Sequence, residues 1–356
     1  MTIFWITLFS VYILGFCART PLYNFNLNRH SLETIRPNKV LTVIITMILV
    51  LVAGLRSNIG DTGAYKRIYI QNNFTLSTIE FSGDFGFDIL QAMLQKISSE
   101  PQILIFTTAL ITNALIIIIV YKYTKLFELS LFFYITSGIY LVTMNGIRQY
   151  LAASIIFLGT PFLLNRDWKK YFLLVLLAST FHNSALILIP TYFFVNSKAW
   201  KPKTFFLLGA GIILAIIYQY IYPLIYGAAG SRFGEYQNFD EGGANILRVL
   251  VTATPIMVAY LGRKKLEKIT PLSDIMVNMS ILGLFFMILS LQNWIFARMA
   301  IYYNLYQIIL ISWLIDLFAK RDQKIVYVII LFCFLFYFYY EHVIILNVQY
   351  RSDFFS

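Results

Sequence analysis

The chain contains few charged residues. Only 13% of its 356 residues are Asp, Glu, Lys or Arg, whereas 59% are apolar. A soluble domain carries about a quarter charged residues. The longest polar-leaning stretch, residues 55–101, is itself interrupted by apolar residues. The composition therefore excludes a soluble globular protein and predicts an all-α bundle of transmembrane helices.

Cysteine and histidine are also scarce, with two and three residues respectively. Both cysteines lie in apolar runs, and no spacing typical of metal ligands occurs. The sequence has neither a P-loop nor a glycine-rich dinucleotide fingerprint. These absences predict chemistry without a metal, a cofactor or a nucleotide donor.

Long apolar runs supply the candidate membrane spans, because a helix needs about 20 apolar residues to cross the hydrocarbon. One further segment, 171–195, is apolar but is interrupted by Phe181-His182-Asn183-Ser184 and by Pro190. We expect the spans and this segment to form one membrane domain, residues 1–356. The predicted spans are 2–18, 39–55, 101–121, 127–145, 147–165, 204–225, 246–262, 273–292, 295–318 and 324–341.

The basic residues decide between two topologies. If segment 171–195 enters and leaves on the same side, six loops fall on one face and hold most of the 28 Lys and Arg residues. Such residues collect on cytoplasmic loops. We therefore predict that the segment is a helical hairpin and that both chain termini are extracytoplasmic. The six loops are 19–38, 122–126, 166–170, 196–203, 263–272 and 319–324.

Two longer loops then lie on the outer face, 56–100 and 226–245. Within the first, residues 85–97 carry apolar side chains at helical spacing. This pattern predicts either a helix that lies in the membrane interface or a short helix packed on the protein.

Polar residues at the outer ends of helices or in the outer loops are the candidate functional residues, since ionisable groups inside a membrane are costly. Each of the arginines could instead pair with a nearby carboxylate or extend to the lipid headgroups. The candidates are Arg56, Asp61, Tyr65, Asn145, Arg148, Gln149, His182, Asn183, Arg232, Arg298 and Tyr302.

Arginine suits phosphate recognition, because its planar guanidinium binds two oxygens and stays charged. Several arginines around one pocket would hold a lipid-linked diphosphate and stabilise the charge that develops as it leaves. We predict that Arg148 and Arg298 bind the donor diphosphate. Arg56 and Arg232 are expected to supplement them or to hold the acceptor carrier.

Two residues are candidates for the general base that takes a proton from an acceptor hydroxyl. Asp61 is preferred, because it lies in the outer loop close to Arg56. His182, at the break of the hairpin, is the alternative base or orients the hydroxyl. Tyr65, Asn145, Gln149, Asn183 and Tyr302 are expected to support the site.

Four short motifs contain these residues: Gly54-Leu55-Arg56 with Gly60-Asp61-Thr62 and Tyr65; Gly146-Ile147-Arg148-Gln149-Tyr150-Leu151-Ala152; Phe181-His182-Asn183-Ser184-Ala185, running to Pro190; and Arg298 with Tyr302 or Tyr303. These motifs resemble those of the EpsG family, and they come in family order over residues 54–303. No role is assigned to Asp84, because Asp84-Phe85-Gly86 stands where family members tend to have Glu-x-Gly.

The resemblance implies a Wzy-like polysaccharide polymerase, similar in outline to multispanning glycosyltransferases that use polyprenyl-linked donors. Such a protein of the bacterial inner membrane would join undecaprenyl-diphosphate-linked repeat units at the outer face, in O-antigen, capsule or exopolysaccharide synthesis. The implied partners are the lipid-linked donor and acceptor, with a chain-length regulator and a flippase as further partners and no nucleic acid.

Two other activities fit the same composition. A flippase for lipid-linked oligosaccharides would also need arginines in a cavity, but it would need them reachable from both faces. A membrane O-acyltransferase of surface glycans would also use His and Arg. A non-enzymatic assembly partner is a further alternative, although such proteins usually carry a large periplasmic domain.

Overall fold

The computed structural model describes residues 1–19, 36–75, 77, 79–229, 242–270 and 272–354, and within them it contains seventeen α-helices and no strand. The predicted all-α fold is confirmed. Single 3₁₀ turns lie at Asn183–Ile187 and Ile315–Leu317, and a π-helical turn lies at Tyr339–Ile345. In chain order, the helices are α1 (Thr2–Arg19), α2 (Lys39–Gly54), α3 (Thr62–Gln71), α4 (Phe85–Gln95), α5 (Gln102–Tyr123), α6 (Phe127–Thr136), α7 (Ile139–Val142), α8 (Ile147–Leu158), α9 (Thr160–Leu164), α10 (Trp168–Ser179), α11 (Leu188–Val195), α12 (Pro202–Ala229), α13 (Ile246–Leu261), α14 (Arg263–Ile269), α15 (Ser273–Leu289), α16 (Ile295–Leu314) and α17 (Gln323–Phe338).

All ten predicted spans fall on helices, but several are interrupted. The predicted span 127–145 is divided between α6 and α7 at Gly138, whose φ of +85° is a left-handed conformation that ends a helix. The predicted span 147–165 is divided between α8 and α9 at Gly159. Conversely, the predicted loop 263–272 contains α14, which is bent by 82° from α13.

Membrane-spanning length is met by only some of the helices on their own. Among the described residues, four stretches are long and apolar enough to cross a membrane, and α13 with α14 would make a fifth. Six other apolar helices have 10–17 residues. The four stretches are Thr2–Arg19, Gln102–Tyr123, Ile295–Leu317 and Gln323–Ile345.

Within segment 171–195 the chain reverses, as the predicted helical hairpin requires, whereas the side of the membrane on which it enters and leaves stays a prediction. The chain reverses between α10 and the 3₁₀ turn, where the Ala178 carbonyl accepts the N–H groups of Phe181 at 3.0 Å and His182 at 3.1 Å. The Tyr171 ring, near the start of α10, lies 5.6 Å from the Tyr192 ring on α11. Because the first arm begins where the second ends, the two arms run antiparallel.

The loop 56–100 contains two helices, α3 and α4, of which only α4 was predicted. Phe87 and Leu94 on α4 pack into a buried cluster with Tyr65 and Tyr69 on α3 and with Ile147. This burial favours the packed helix over the interfacial one. Met93 on α4 and Ile97 just after it nevertheless remain exposed, so an apolar surface is present here as well.

A C-terminal segment returns to the start of this loop. The Ser57 N–H donates to the Arg351 carbonyl at 2.9 Å. The Asn58 side chain donates to the Gln349 carbonyl at 2.9 Å and accepts from the Arg351 N–H at 2.7 Å. The chain that leaves α2 is therefore held by backbone groups distant in sequence.

The chain forms two compact units, and each is described by itself. The first comprises Met1–Tyr192 and Ile308–Ser356, and the second comprises Phe193–Gln307. Arg148 and His182 belong to the first unit, whereas Arg298 and Tyr302 belong to the second. In the second unit, the buried Asn278 amide donates to the carbonyls of Val195 at 3.1 Å and Ser197 at 2.7 Å.

Candidate functional site

The site is built where α4 meets the turn of the hairpin. The Gly86 N–H, in the first turn of α4, donates to the Thr180 carbonyl at 2.7 Å. A Cβ atom at Gly86 would lie 2.2 Å from Thr180 Oγ1 and 3.0 Å from its carbonyl carbon. Only glycine permits this close approach, which places Asp84 beside the hairpin turn.

Asp84 contacts three partners from two helical segments. Its Oδ2 lies 3.0 Å from His182 Nδ1 and 3.1 Å from Arg148 Nη1. Its Oδ1 accepts the Asn183 backbone N–H at 3.0 Å. We call Asp84, Arg148 and His182 the Asp84 cluster. It brings together two of the predicted functional residues through a carboxylate that had no assigned role.

The charge of Asp84 determines the direction of its hydrogen bond with His182. Burial alone would raise the pKa of Asp84, but the hydrogen bonds from His182 and Asn183 and the charge of Arg148 together hold it below its usual value. The carboxylate is thus ionised at neutral pH and can only accept hydrogen bonds. His182 Nδ1 must therefore donate the hydrogen bond to the carboxylate, and in the neutral tautomer that satisfies this bond the lone pair lies on Nε2.

Arg148 is only partly committed to Asp84. It lies in the first turn of α8, and its side chain is 43% exposed. The guanidinium lies 5.9 Å from the ring centroids of both Tyr65 and Phe87. Its Nε atom is buried without a hydrogen-bond partner in the described part of the chain. Two aromatic rings thus hold the side chain, while its Nε–H group has no hydrogen-bond acceptor among the described residues.

A second carboxylate, Asp88, lies one turn further along α4. Burial raises its pKa, and the charge of Arg148 opposes that rise. The Asp88 carboxylate also accepts a hydrogen bond from Gln91 at 3.2 Å. The local field at Arg148 is therefore set by two acidic residues of one helix.

Arg56 has a different environment. Its side chain is 1% exposed, and its guanidinium donates to the Ala53 carbonyl, to the Met144 carbonyl at 2.6 Å and to Thr62 Oγ1 at 3.0 Å. We call Arg56, Ala53, Thr62 and Met144 the Arg56 cluster. It joins the end of α2 to the start of α3 and to the turn before α8. This geometry favours a structural role over the predicted diphosphate role, which stays a prediction.

Asp61, the preferred base predicted from the sequence, precedes Thr62 of the Arg56 cluster but is not itself bonded to the Arg56 guanidinium. Asp61 is exposed, and its backbone N–H donates to Asn145 Oδ1 at 3.0 Å. Within the described residues, its carboxylate forms no hydrogen bond or ion pair. The role of Asp61 as the general base stays a prediction.

The remaining candidates are placed as follows. Gln149 is buried, with Nε2 at 3.5 Å from Ser184 Oγ on the hairpin. In the second unit, the exposed Arg298 lies over the Trp294 ring, 4.6 Å from its centroid, and Tyr302 is buried. Arg232 lies outside the described residues. No three His, Cys, Asp or Glu side chains come together as metal ligands in the described ranges.

Sequence reasoning missed Asp84. The available signal was Gly86, because a glycine two residues after an acidic residue matches the family pattern Glu-x-Gly. The shorter carboxylate side chain was the reason for assigning no role. In the structure, the close approach of Gly86 to Thr180 brings the shorter side chain within hydrogen-bond distance of His182.

Comparison with protein-family models gives a match over most of the chain. The model of the EpsG family, a Wzy-like polymerase family, matches residues 39–352. This range includes all residues of the Asp84 cluster and of the Arg56 cluster. No curated protein and no solved structure matches the chain.

Proposed function

Because this chain belongs to the EpsG family, we propose that it is a membrane polysaccharide polymerase that joins undecaprenyl-diphosphate-linked repeat units at the outer face of the bacterial inner membrane. The observation that carries the proposal is the Asp84 cluster, in which one carboxylate holds both an imidazole and a guanidinium. A base and a phosphate-binding cation side by side are what glycan transfer from a diphosphate requires.

In this proposal His182 is the general base. Asp84 accepts a hydrogen bond from the Nδ1–H group, so it sets the tautomer and orientation of the ring. The Nε2 lone pair then takes the proton of an acceptor hydroxyl. Asp61, exposed and without a charged partner in the described part of the chain, is the weaker candidate for this role.

Arg148 binds the donor diphosphate. Its ring contacts with Tyr65 and Phe87 limit its motion, and its partial exposure leaves donors for phosphate oxygens. Arg298 and Arg232 remain proposed as further diphosphate ligands. Arg56 acts by positioning the turn that precedes Arg148, since it binds the Met144 carbonyl.

The reaction is a single transfer of a glycosyl group. The acceptor oxygen forms a bond to the anomeric carbon of the donor glycan, and the bond from that carbon to the diphosphate oxygen breaks. The proton of the acceptor hydroxyl goes to His182. Undecaprenyl diphosphate leaves with the bonding electron pair, and Arg148 stabilises the added negative charge.

The proposed location is the bacterial inner membrane, and the proposed partners are lipid-linked glycans. The protein is proposed to be a multi-pass inner-membrane protein with both termini extracytoplasmic, which the hairpin geometry supports by returning the chain to the side from which it came. The donor and the acceptor are both undecaprenyl-diphosphate-linked glycans. A flippase would act before the polymerase, and a chain-length regulator would act beside it.

The test is reconstitution of the purified protein in liposomes with a purified lipid-linked repeat unit. The proposal expects a ladder of products that differ by one repeat, and release of undecaprenyl diphosphate with each step. Movement of the substrate across the bilayer without elongation would instead identify a flippase. Transfer of acyl groups to finished polymer, with no ladder, would identify an acyltransferase.

A further inference from the structure

The second unit carries a polar cavity of about 190 Å³, formed by the loop before α12, by α14 and by the start of α15. Sites for drug-sized ligands measure roughly 300–1,000 Å³. The cavity is therefore suited to a small polar group rather than to a whole lipid or an oligosaccharide. It plays no part in the proposed transfer reaction.

Three basic residues, Lys198, Arg263 and Lys264, line the cavity together with the carboxylates of Glu267 and Asp274. Lys198 Nζ lies 3.5 Å from Glu267 Oε1, and both of these side chains are exposed. Asp274 is committed to the fold, because it accepts the Ala199 N–H at 2.9 Å. Lys264 forms no ion pair with any residue that the structure describes.

Arg263 is held in place by an aromatic residue. Its guanidinium lies 4.4 Å from the Tyr260 ring centroid, and Nη1 donates to the Tyr260 carbonyl at 3.0 Å. The remaining donors of the fork are available to an anion. The Tyr260 ring lies 5.0 Å from that of Trp200, whose φ of +61° is an uncommon conformation for a bulky residue.

Residues close in sequence to the cavity lining have the types expected at a membrane boundary. Leu261, two residues before Arg263, and Phe206, near the start of α12, are 80% and 78% exposed, as expected for side chains that face hydrocarbon. Trp200 and Tyr260 are aromatic residues of the type enriched at the membrane interface. The basic helix α14 then bends by 82° away from α13, as a helix lying along the membrane surface would.

We propose that this cavity binds the phosphate headgroup of an anionic phospholipid. Lys198, Arg263 and Lys264 bind the phosphate, and the acyl chains lie along Leu261 and Phe206. Both loops of the cavity belong to the face that the charge distribution predicts to be cytoplasmic, where anionic lipids attract basic residues. The proposal does not depend on the polymerase activity.

The test is lipid binding by the purified full chain in detergent, measured by native mass spectrometry with phosphatidylglycerol, phosphatidylcholine and inorganic phosphate as probes. We expect phosphatidylglycerol to bind more tightly than the other two. The triple variant Lys198→Gln, Arg263→Gln, Lys264→Gln should lose at least about tenfold in affinity for phosphatidylglycerol, since each basic residue contributes to attraction of an anionic lipid.

A matched control removes two lysines and one arginine elsewhere, by Lys169→Gln, Lys320→Gln and Arg321→Gln. All three are exposed in the first unit. The control should bind phosphatidylglycerol within about twofold of the wild type, because its charges line no cavity of this kind. Equal losses in both variants, equal binding of phosphatidylcholine, or tight binding of inorganic phosphate alone would each overturn the proposal.

Discussion

Arg148 and Arg56 lie in one compact unit and were predicted to do related work, yet their surroundings differ. Arg56 is 1% exposed and donates to two backbone carbonyls and a hydroxyl, so the fold uses its donors. Arg148 is 43% exposed and shares one carboxylate with a histidine. An arginine in such a protein can thus have a structural or a functional role. The two roles differ in how many guanidinium N–H donors the fold leaves without an acceptor.

Replacement of the base should have the largest effect on activity. His182→Gln keeps a side chain of similar length but removes the Nε2 lone pair that accepts the proton. We expect transfer to fall by about 10²–10⁴-fold, measured as product ladders from liposomes at matched protein content. His182→Gln with near wild-type rates would return the role of base to Asp61.

Arg148→Lys comes next, because it keeps the charge but loses the planar fork. We expect a loss of roughly 10²–10³-fold in transfer rate with normal protein levels and melting temperature. If Arg148→Lys instead destabilises the protein and leaves the rate per folded molecule unchanged, Arg148 resembles Arg56 and the contrast between the two fails.

Asp84→Asn tests the carboxylate that joins the cluster. The amide can donate as well as accept, so the His182 tautomer is no longer fixed, and we expect a loss of about tenfold to hundredfold. Asp61→Asn is the matched control and should stay within about twofold. A larger loss for Asp61→Asn than for Asp84→Asn would contradict the assignment.

The pKa of Asp84 also predicts the pH dependence of stability. Because the folded-state pKa lies below the ordinary value of 3.8, ionisation of Asp84 stabilises the fold at every pH above that value, and the contribution disappears as pH falls through the folded-state pKa. Thermal melting in detergent, followed from neutral pH to well below 3.8, should show a smaller decline for Asp84→Asn than for the wild type.

Gly86→Ala tests the placement of α4 on the hairpin. The added methyl group would lie 2.2 Å from Thr180 Oγ1, so α4 must shift and carry Asp84 away from His182. We expect a loss of about tenfold in transfer, within the range expected for a displaced acid–base group. Gly63→Ala is the control, because a Cβ there meets no atom within 4 Å; equal effects of the two substitutions would mean that this contact does not position Asp84.

Arg56→Lys should have the smallest effect on the chemistry. A lysine cannot reach all three partners of Arg56, and each buried carbonyl left without a donor costs about 1–3 kcal/mol. We expect a lower melting temperature and reduced membrane levels, with the rate per folded molecule within about threefold of the wild type. A selective loss of rate at normal stability would support the diphosphate role that the sequence predicted.

Some features followed from local pattern. Apolar runs predicted the helices, because such runs depend on the residues of one segment. The distribution of Lys and Arg over six loops predicted the hairpin at 171–195. The breaks at Gly138 and Gly159 were not foreseen. A glycine inside an apolar run signals only that a break is permitted, whereas packing by neighbouring helices decides whether it occurs.

The chemistry of the site was accessible only in part. Arg148 and His182 could be singled out, because an ionisable or polar residue in an apolar setting needs an explanation. Arg56 and Asp61 satisfied the same criterion equally well. Their different exposure and partners arise from the turn before α8 and from the contacts of the C-terminal segment with residues 57 and 58, which no local pattern reports.

The sequence by itself determined that this protein is a helical membrane protein of the EpsG family, and that its functional residues are few and polar. Composition and short motifs carry that information, because hydrophobic burial depends on residue type along the chain. Only the tertiary structure decided that Asp84 joins His182 to Arg148 and that Arg56 turns inward. Hydrogen bonds at about 3 Å require two segments to meet in space, and here Gly86 against Thr180 brings them together.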